Sequence, residues 1–172
     1  MWVMKIDLAT QGDVLEILTI FKQTAEFFKE QGIDQWQGDY PNISTVLADI
    51  AAGQCYIGRN SRLILGVIVL STAKEASYDE LSDGHWNSPD DSYTVIHRLA
   101  VNRNYPGKGV SVKLINKAEA LTKAKGFAGI RTDTHEANDG MRYILTKQGF
   151  RYTGQLTLAD GSPRLGYDKL ID

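Results

Sequence analysis

The chain has 172 residues, of which 42% are hydrophobic, enough for one domain with a real core. Its net charge of -2, with no basic stripe, argues against a nucleic-acid partner. The longest apolar stretch, residues 63–70, is far short of the ~20 residues of a membrane span, so no membrane partner is expected.

Residues 3–8 have strand composition, with Ile6 and Leu8 on one face; Lys5 and Asp7 break any apolar leader, and a cytoplasmic address is expected. Thr10, three residues before Asp13, forms a capping-box pattern. Val14, Ile17, Leu18, Phe21, Ala25 and Phe28 then recur at helical spacing, and Gly32 is the stop. Pro41 and Asn42 open a second helix through Val46, Leu47 and Ile50, ended by Gly53. Residues 54–58 and 62–70 read as an antiparallel hairpin turning at Asn60-Ser61. The first of these strands holds the single cysteine, Cys55, so an internal disulfide and a multi-thiolate metal site are excluded, and no metal is expected.

Residues 72–91 show no period and are long for a connection. They carry Glu75, Asp79, Glu80, Asp83, Asp90 and Asp91 against Lys74, either a solvated acidic loop or a field that attracts a cationic amine. Residues 92–101 return to strand composition. Residues 107–125 form an amphipathic helix with Val110, Leu114, Ala118 and Leu121 on one face. A strand at 128–134, a helix at 138–147 and short strands at 150–153 and 164–170 follow. The order β-α-α-β-β-β-α-β-α-β-β predicts an α/β (α+β) fold, a mixed sheet flanked by helices, in a single domain over 1–172.

The chemistry concentrates where the strand ending Leu99-Ala100-Val101 passes through Tyr105-Pro106-Gly107-Lys108-Gly109 into the helix beginning Val110-Ser111. A helix N-terminus offers unpaired N–H groups and a partial positive charge, and glycines let backbone approach an anion. Lys108 adds a full charge. The spacing is neither a Walker loop nor G-x-G-x-x-G, since Val112 stands at the third glycine; alone, the turn is an ordinary strand-to-helix glycine turn.

Two stretches together resemble the GNAT superfamily of acetyl-CoA-dependent N-acetyltransferases. The first is that turn, similar to the family's Arg/Gln-x-x-Gly-x-Gly/Ala, with Pro106 and Ser111 as departures. The second is Asn138-x-x-Met141-x-x-Ile144-Leu145-x-Lys147-x-Gly149-Phe150, similar to Asn-x-x-Ala-x-x-Leu-Tyr-x-Lys-x-Gly-Phe. Residues 32–37, 96–101, Asp133-Thr134-His135 and Asp160-Gly161-Ser162-Pro163-Arg164 also resemble one bacterial subgroup.

The resemblance implies a mostly antiparallel sheet with splayed parallel strands at the cofactor cleft. It implies acetyl-CoA held by Leu99, Ala100, Val101, Pro106, Gly107, Lys108, Gly109, Val110, Ser111, Asn138 and Met141, with the Leu99 amide as oxyanion donor. The Tyr that often protonates the leaving thiolate is replaced by Leu145, and Tyr143 lies roughly 200° away around the helix.

A lysine-like amine, with a pKa near ~10.4, must lose a proton before it attacks. His97, on one face with Leu99 and Val101 by two-residue alternation, is the first candidate base; a satisfied core histidine is the equal alternative. His135 is the second, paired with Asp133 on the next strand, against a capping role. Asp34, Trp36 and Trp86 are candidates for the acceptor side, against a solvated charge and two loop staples. The implied activity is acetyl transfer to a primary amine of a small molecule or peptide; the competing reading is a non-catalytic acyl-CoA-binding regulatory module. A homodimer is an open expectation.

Overall fold

The computed structural model describes residues 3–172. It runs β1 (Lys5–Leu8), α1 (Val14–Glu30), α2 (Ile43–Ala51), β2 (Cys55–Arg59), β3 (Ile64–Ser71), β4 (Tyr93–Val101), α3 (Val110–Ala124), β5 (Gly129–Thr134), α4 (Asp139–Lys147), β6 (Arg151–Thr157) and β7 (Pro163–Leu170). This is the predicted order. The strands make one sheet in the order β1-β2-β3-β4-β5-β7-β6. β1–β2, β2–β3, β5–β7 and β6–β7 pair antiparallel, and β4–β5 pairs parallel. The parallel pair needs a crossover, which α3 supplies.

The chain divides into two compact units, one of residues through Leu70 with His97–Lys117, the other of Ser71–Ile96 with Ala118–Asp172. In the first, α1 buries Val14, Ile17, Ile20 and Phe21 in a cluster with Val46, Ile57, Val67 and Val69. Every residue of β3 is buried, which accounts for its unbroken apolar run. At its centre, a Cβ on Gly66 would lie 2.6 Å from Val110 and 2.9 Å from Leu114. The missing side chain therefore lets the first turns of α3 lie against β3. Asn42 caps α2 by accepting from the Thr45 amide at 3.1 Å. The buried face of α2 is Val46 and Asp49, whereas Leu47, predicted inward, is 38% exposed.

In the second unit β7 lies between β5 and β6, and Tyr78, Tyr93, Val95 and Leu156 form a buried cluster with Trp86 packed against it. β6 runs past its predicted end at 153, because Gly154 (φ +154°) shifts the register and lets the ladder continue. The long 72–91 segment is held by a single 3-10 turn at Ala76–Tyr78, a bridge from Ser82 to Gln155, and the Asp168 carboxylate, which accepts from the Asn87 and Ser88 amides at 2.7 Å each. β1 starts at Lys5, two residues after its predicted start. α3 starts at Val110 and not at 107, because Gly107 and Gly109 take φ of +73° and +66°, outside helical space.

Candidate active site

β4 pairs with β5 only from Tyr93↔Gly129 to Val95↔Arg131, and its residues 97–101 run on past that ladder. The strand's end is fixed by Asn102, which is buried. Its amide donates to the Leu65 carbonyl at 2.8 Å, its Nδ2 donates to the Ile64 carbonyl at 3.0 Å, and its Oδ1 accepts from the Asn104 amide at 3.1 Å. The last contact is an Asx turn, so one side chain ties the strand to β3 and starts the turn. Pro106, Gly107, Lys108 and Gly109 follow, all exposed. Nothing lies within 4 Å of where a Cβ would stand on either glycine. Buried Val110 then anchors α3, with half-buried Ser111 beside it.

Before the turn, Arg98 adopts φ +47° inside the strand. That left-handed residue breaks the two-residue alternation, so His97 and Leu99 are not brought to one face by strand periodicity as predicted. Beyond it, Ala100 joins the cluster that α1 and α2 make with the sheet, and Leu99 is buried. Arg98 itself grips α2: Nε donates to Asp49 Oδ2 at 2.7 Å, Nη2 to Oδ1 at 2.6 Å, and Nη1 to the Tyr40 hydroxyl at 2.6 Å. Burial opposes its charge, but Asp49 and Tyr40 outweigh that and hold Arg98 protonated. Burial, then the neighbouring Arg98 charge, depresses the His97 imidazole to about 4. His97 is therefore neutral at pH 7, free of the near-neutral titration predicted for it, and a weaker base than an ordinary imidazole.

The second unit places Asn138 as the buried cap of α4, its Oδ1 accepting from the Met141 amide at 3.2 Å; Met141 is half-buried. Leu145, at the position where the family carries Tyr, is 1% exposed core, and Tyr143 is 65% exposed. Asp133 and His135 do not form an acid–imidazole unit. The Tyr78 hydroxyl donates to Asp133 Oδ2 at 2.6 Å, and His135 Nδ1 accepts from the Ala137 amide at 3.0 Å. Burial raises the Asp133 carboxyl, a rise the Tyr78 bond partly offsets; burial and the Asp133 charge push the Tyr78 phenol well above its ordinary value.

Of the residues expected to meet the acceptor, Asp34 is exposed. Trp36 packs edge-on against Phe21 and Phe28 at 5.4 and 5.7 Å, a staple for its loop. Trp86 donates Nε1–H to the Tyr78 carbonyl at 2.8 Å and lines an acidic cleft of about 540 Å³ with Asp79, Glu80 and Asp90. Arg98, Asn102 and Tyr78 escaped the sequence reading. Asn102 alone had a local signal, an Asx residue between strand and turn.

A mixed sheet whose parallel crossover opens its helix on an uncovered double-glycine turn is the arrangement that the resemblance to acetyl-CoA-dependent acyltransferases implied. The profile of the Acetyltransferase (GNAT) family matches residues 17–150, well over half of the chain, and the protein belongs to that family. It is 24% identical over 151 residues to YesJ, an uncharacterised N-acetyltransferase of Bacillus subtilis, across 85% of this chain and 81% of that one. A GNAT-family acetyltransferase structure from Streptococcus agalactiae shares 29% identity at a TM-score of 0.88, over 98% of this chain and 96% of the other. The yncA acetyltransferase of Salmonella typhimurium, solved with acetyl-CoA, shares the fold at a TM-score of 0.72 and 15% identity, over 98% and 94%. The chain is an acetyltransferase, and its acetyl donor is acetyl-CoA.

Proposed function

We propose that residues 1–172 act as a single N-acetyltransferase domain that moves the acetyl group of acetyl-CoA to a primary amine of a small molecule or peptide. The observation that carries this is the uncovered backbone at Gly107 and Gly109, running directly into the N-terminus of α3. The family match, from 17 to 150, runs through segments of both compact units and supports the single domain.

Acetyl-CoA supplies an activated thioester. The amides of 107–111 and the helix end hold its pyrophosphate, with Lys108 adding charge from solvent. Pro106 brings neither an N–H nor a donor side chain, so backbone carries most of the binding. The backbone of Leu99, Ala100 and Val101 offers a strand edge to the pantetheine arm, and the Leu99 amide meets charge developing on the thioester oxygen. Asn138 and Met141 contribute from α4. His97, neutral throughout the working range, orients water or amine and accepts a proton weakly. His135 is engaged in its turn and serves position more than proton transfer. Asp34, Trp36 and Trp86 border the acceptor side.

The buried Leu145 favours a second reading, a module that binds acyl-CoA without turning it over. Calorimetry with acetyl-CoA and a thiol-release assay over an amine panel separate the two: binding with no turnover on any amine would sink the enzyme. Gly109→Asp and Gly109→Asn test the site. Both strain the left-handed backbone alike, but only Asp places a carboxylate at the pyrophosphate. Gly109→Asp is expected to abolish acetyl-CoA binding and Gly109→Asn to weaken it less; wild-type binding by Gly109→Asp would refute the placement.

A further inference from the structure

Among the described residues, Arg98 is the only non-glycine residue with positive φ inside a strand; Trp36 and Asp83, which share that sign, lie in loops. A left-handed backbone is costly for any residue with a Cβ and persists only where its surroundings over-determine it. Here the determinants come from α2 and the residues just before it. Asp49 takes Nε and Nη2 of the guanidinium at 2.7 and 2.6 Å, and the Tyr40 hydroxyl accepts from Nη1 at 2.6 Å. The Asp49 and Arg98 side chains are 11% and 12% exposed, so water does not readily replace the grip.

Seating α2 on the sheet does not need this pair, because Val46 already buries that helix in the core of its unit. A planar fork held at all three nitrogens fixes direction as well as charge. The direction fixed is that of the backbone from which the side chain leaves.

The consequence falls on the next residue. The Arg98 carbonyl and the Leu99 N–H belong to one planar peptide unit, so the torsions at Arg98 set where that N–H points. Farther along, the Asn102 amide and Nδ2 donate to the Leu65 and Ile64 carbonyls at 2.8 and 3.0 Å. The segment from 98 to 102 is thus held at one end from α2 and at the other from β3. The Leu99–Val101 edge lies between the two ties, and all of these residues belong to one compact unit.

We propose that Asp49, Arg98 and Tyr40 are positioning residues for acetyl transfer, a latch that fixes the left-handed turn of β4 and so aims the Leu99 amide at the thioester oxygen. The three act through Leu99. Their effect falls on the chemical step more than on cofactor affinity, which the glycine turn carries. The assignment rests on the N-acetyltransferase reading and on the part Leu99 takes in it.

The test measures kcat and KM for acetyl-CoA by thiol release, on the full chain with its best amine, below the unfolding temperature of every variant by circular dichroism. Asp49→Ala is expected to cut kcat about tenfold to a hundredfold, as for a misaimed oxyanion donor. KM for acetyl-CoA should stay within about threefold of wild type. Asp49→Asn, which keeps one acceptor, should fall between the two and carries the test if a truncation fails to fold. Arg98→Gly and Arg98→Ala both lose the grip, but only glycine takes positive φ freely. Arg98→Gly is therefore expected to keep a kcat several-fold above that of Arg98→Ala, although glycine weakens a strand more than alanine does. A merely structural ion pair predicts no difference or the reverse order. Wild-type kcat in either Asp49 variant, a loss confined to KM, or a kcat in Arg98→Gly no higher than in Arg98→Ala overturns the latch and leaves the activity standing. If no amine is acetylated, the N-acetyltransferase reading falls by itself, and the Leu99 amide resonance in an isotope-labelled chain decides the latch. Titrated with acetyl-CoA, that resonance is expected to shift in wild type and Arg98→Gly and to shift less in Arg98→Ala. A resonance that acetyl-CoA leaves unmoved in wild type, or that responds alike in both variants, overturns the latch.

Discussion

Asp49→Ala should be the most damaging single truncation in α2. The carboxylate accepts two charge-assisted bonds from Arg98, at 2.7 and 2.6 Å, and the two side chains are 11% and 12% exposed. Removing one partner of a buried pair costs about 3–5 kcal/mol, because the remaining charge is left desolvated. Arg98 keeps the Tyr40 hydroxyl and some water access, so the low end, about 3 kcal/mol, is expected. For a chain of this size that is a fall in Tm of roughly 6–12 °C. Thermal and urea unfolding followed by circular dichroism measure it, with Asp49→Asn as the shape-preserving intermediate. A double-mutant cycle with Arg98→Met isolates the pair: the double variant should lose less than the two singles added, since no buried charge is orphaned. A Tm for Asp49→Ala within about 2 °C of wild type, or strict additivity in the cycle, would show that Arg98 does not depend on Asp49.

Gly66→Val should destabilise by more than the ~1–3 kcal/mol of ordinary overpacking, because its Cβ alone would stand 2.6 Å from Val110 and 3.2 Å from the Ala100 carbonyl; unchanged urea unfolding would contradict the tight seating of α3 on β3. The depressed His97 pKa makes stability fall on acidification. An imidazole at about 4 in the fold and 6.5 unfolded contributes stability that is whole above pH 6.5 and is lost as pH falls toward 4. At 1.36 kcal/mol per pH unit the full effect is about 3 kcal/mol. His97→Asn should flatten the stability curve between pH 6.5 and 4; parallel curves for the two proteins would show that His97 is not desolvated.

The fold was legible because its signals are local. The α1 period, the Asn42 cap, the hairpin at Asn60 and the glycines before α3 each act within a few residues. The uninterrupted burial of β3 was legible as an apolar run. The site's supports were not, because they join residues far apart in the chain: Asp49 meets Arg98, and Tyr78 meets Asp133. Arg98 shows the limit best. An arginine carries no mark of a positive φ, and strand periodicity carried through it assigned His97 and Leu99 to one face. The left-handed residue is tolerable here because a remote carboxylate holds its side chain, which no window of sequence reports.

The ionisable groups narrow how acetyl transfer proceeds. Cys55, the chain's one cysteine, is 2% exposed, and burial pushes its thiol up to about 12, so no thiolate is available to take the acetyl group first. Direct transfer from thioester to amine needs no such thiolate. Direct transfer needs a proton removed from the amine and little else, since a leaving thiol with a pKa near ~8.5 departs without a strong acid. That explains how the Tyr position can be filled by core Leu145. A His97 depressed to about 4 stays neutral near pH 7, and water can carry the amine's proton away. Catalysis in this chain should then come mainly from orientation, which can lower a barrier by about 7–11 kcal/mol when reacting atoms are held in line. The Arg98–Asp49 grip behind Leu99 and the Asn102 tether behind the glycine turn are the parts of the fold that would supply such rigidity.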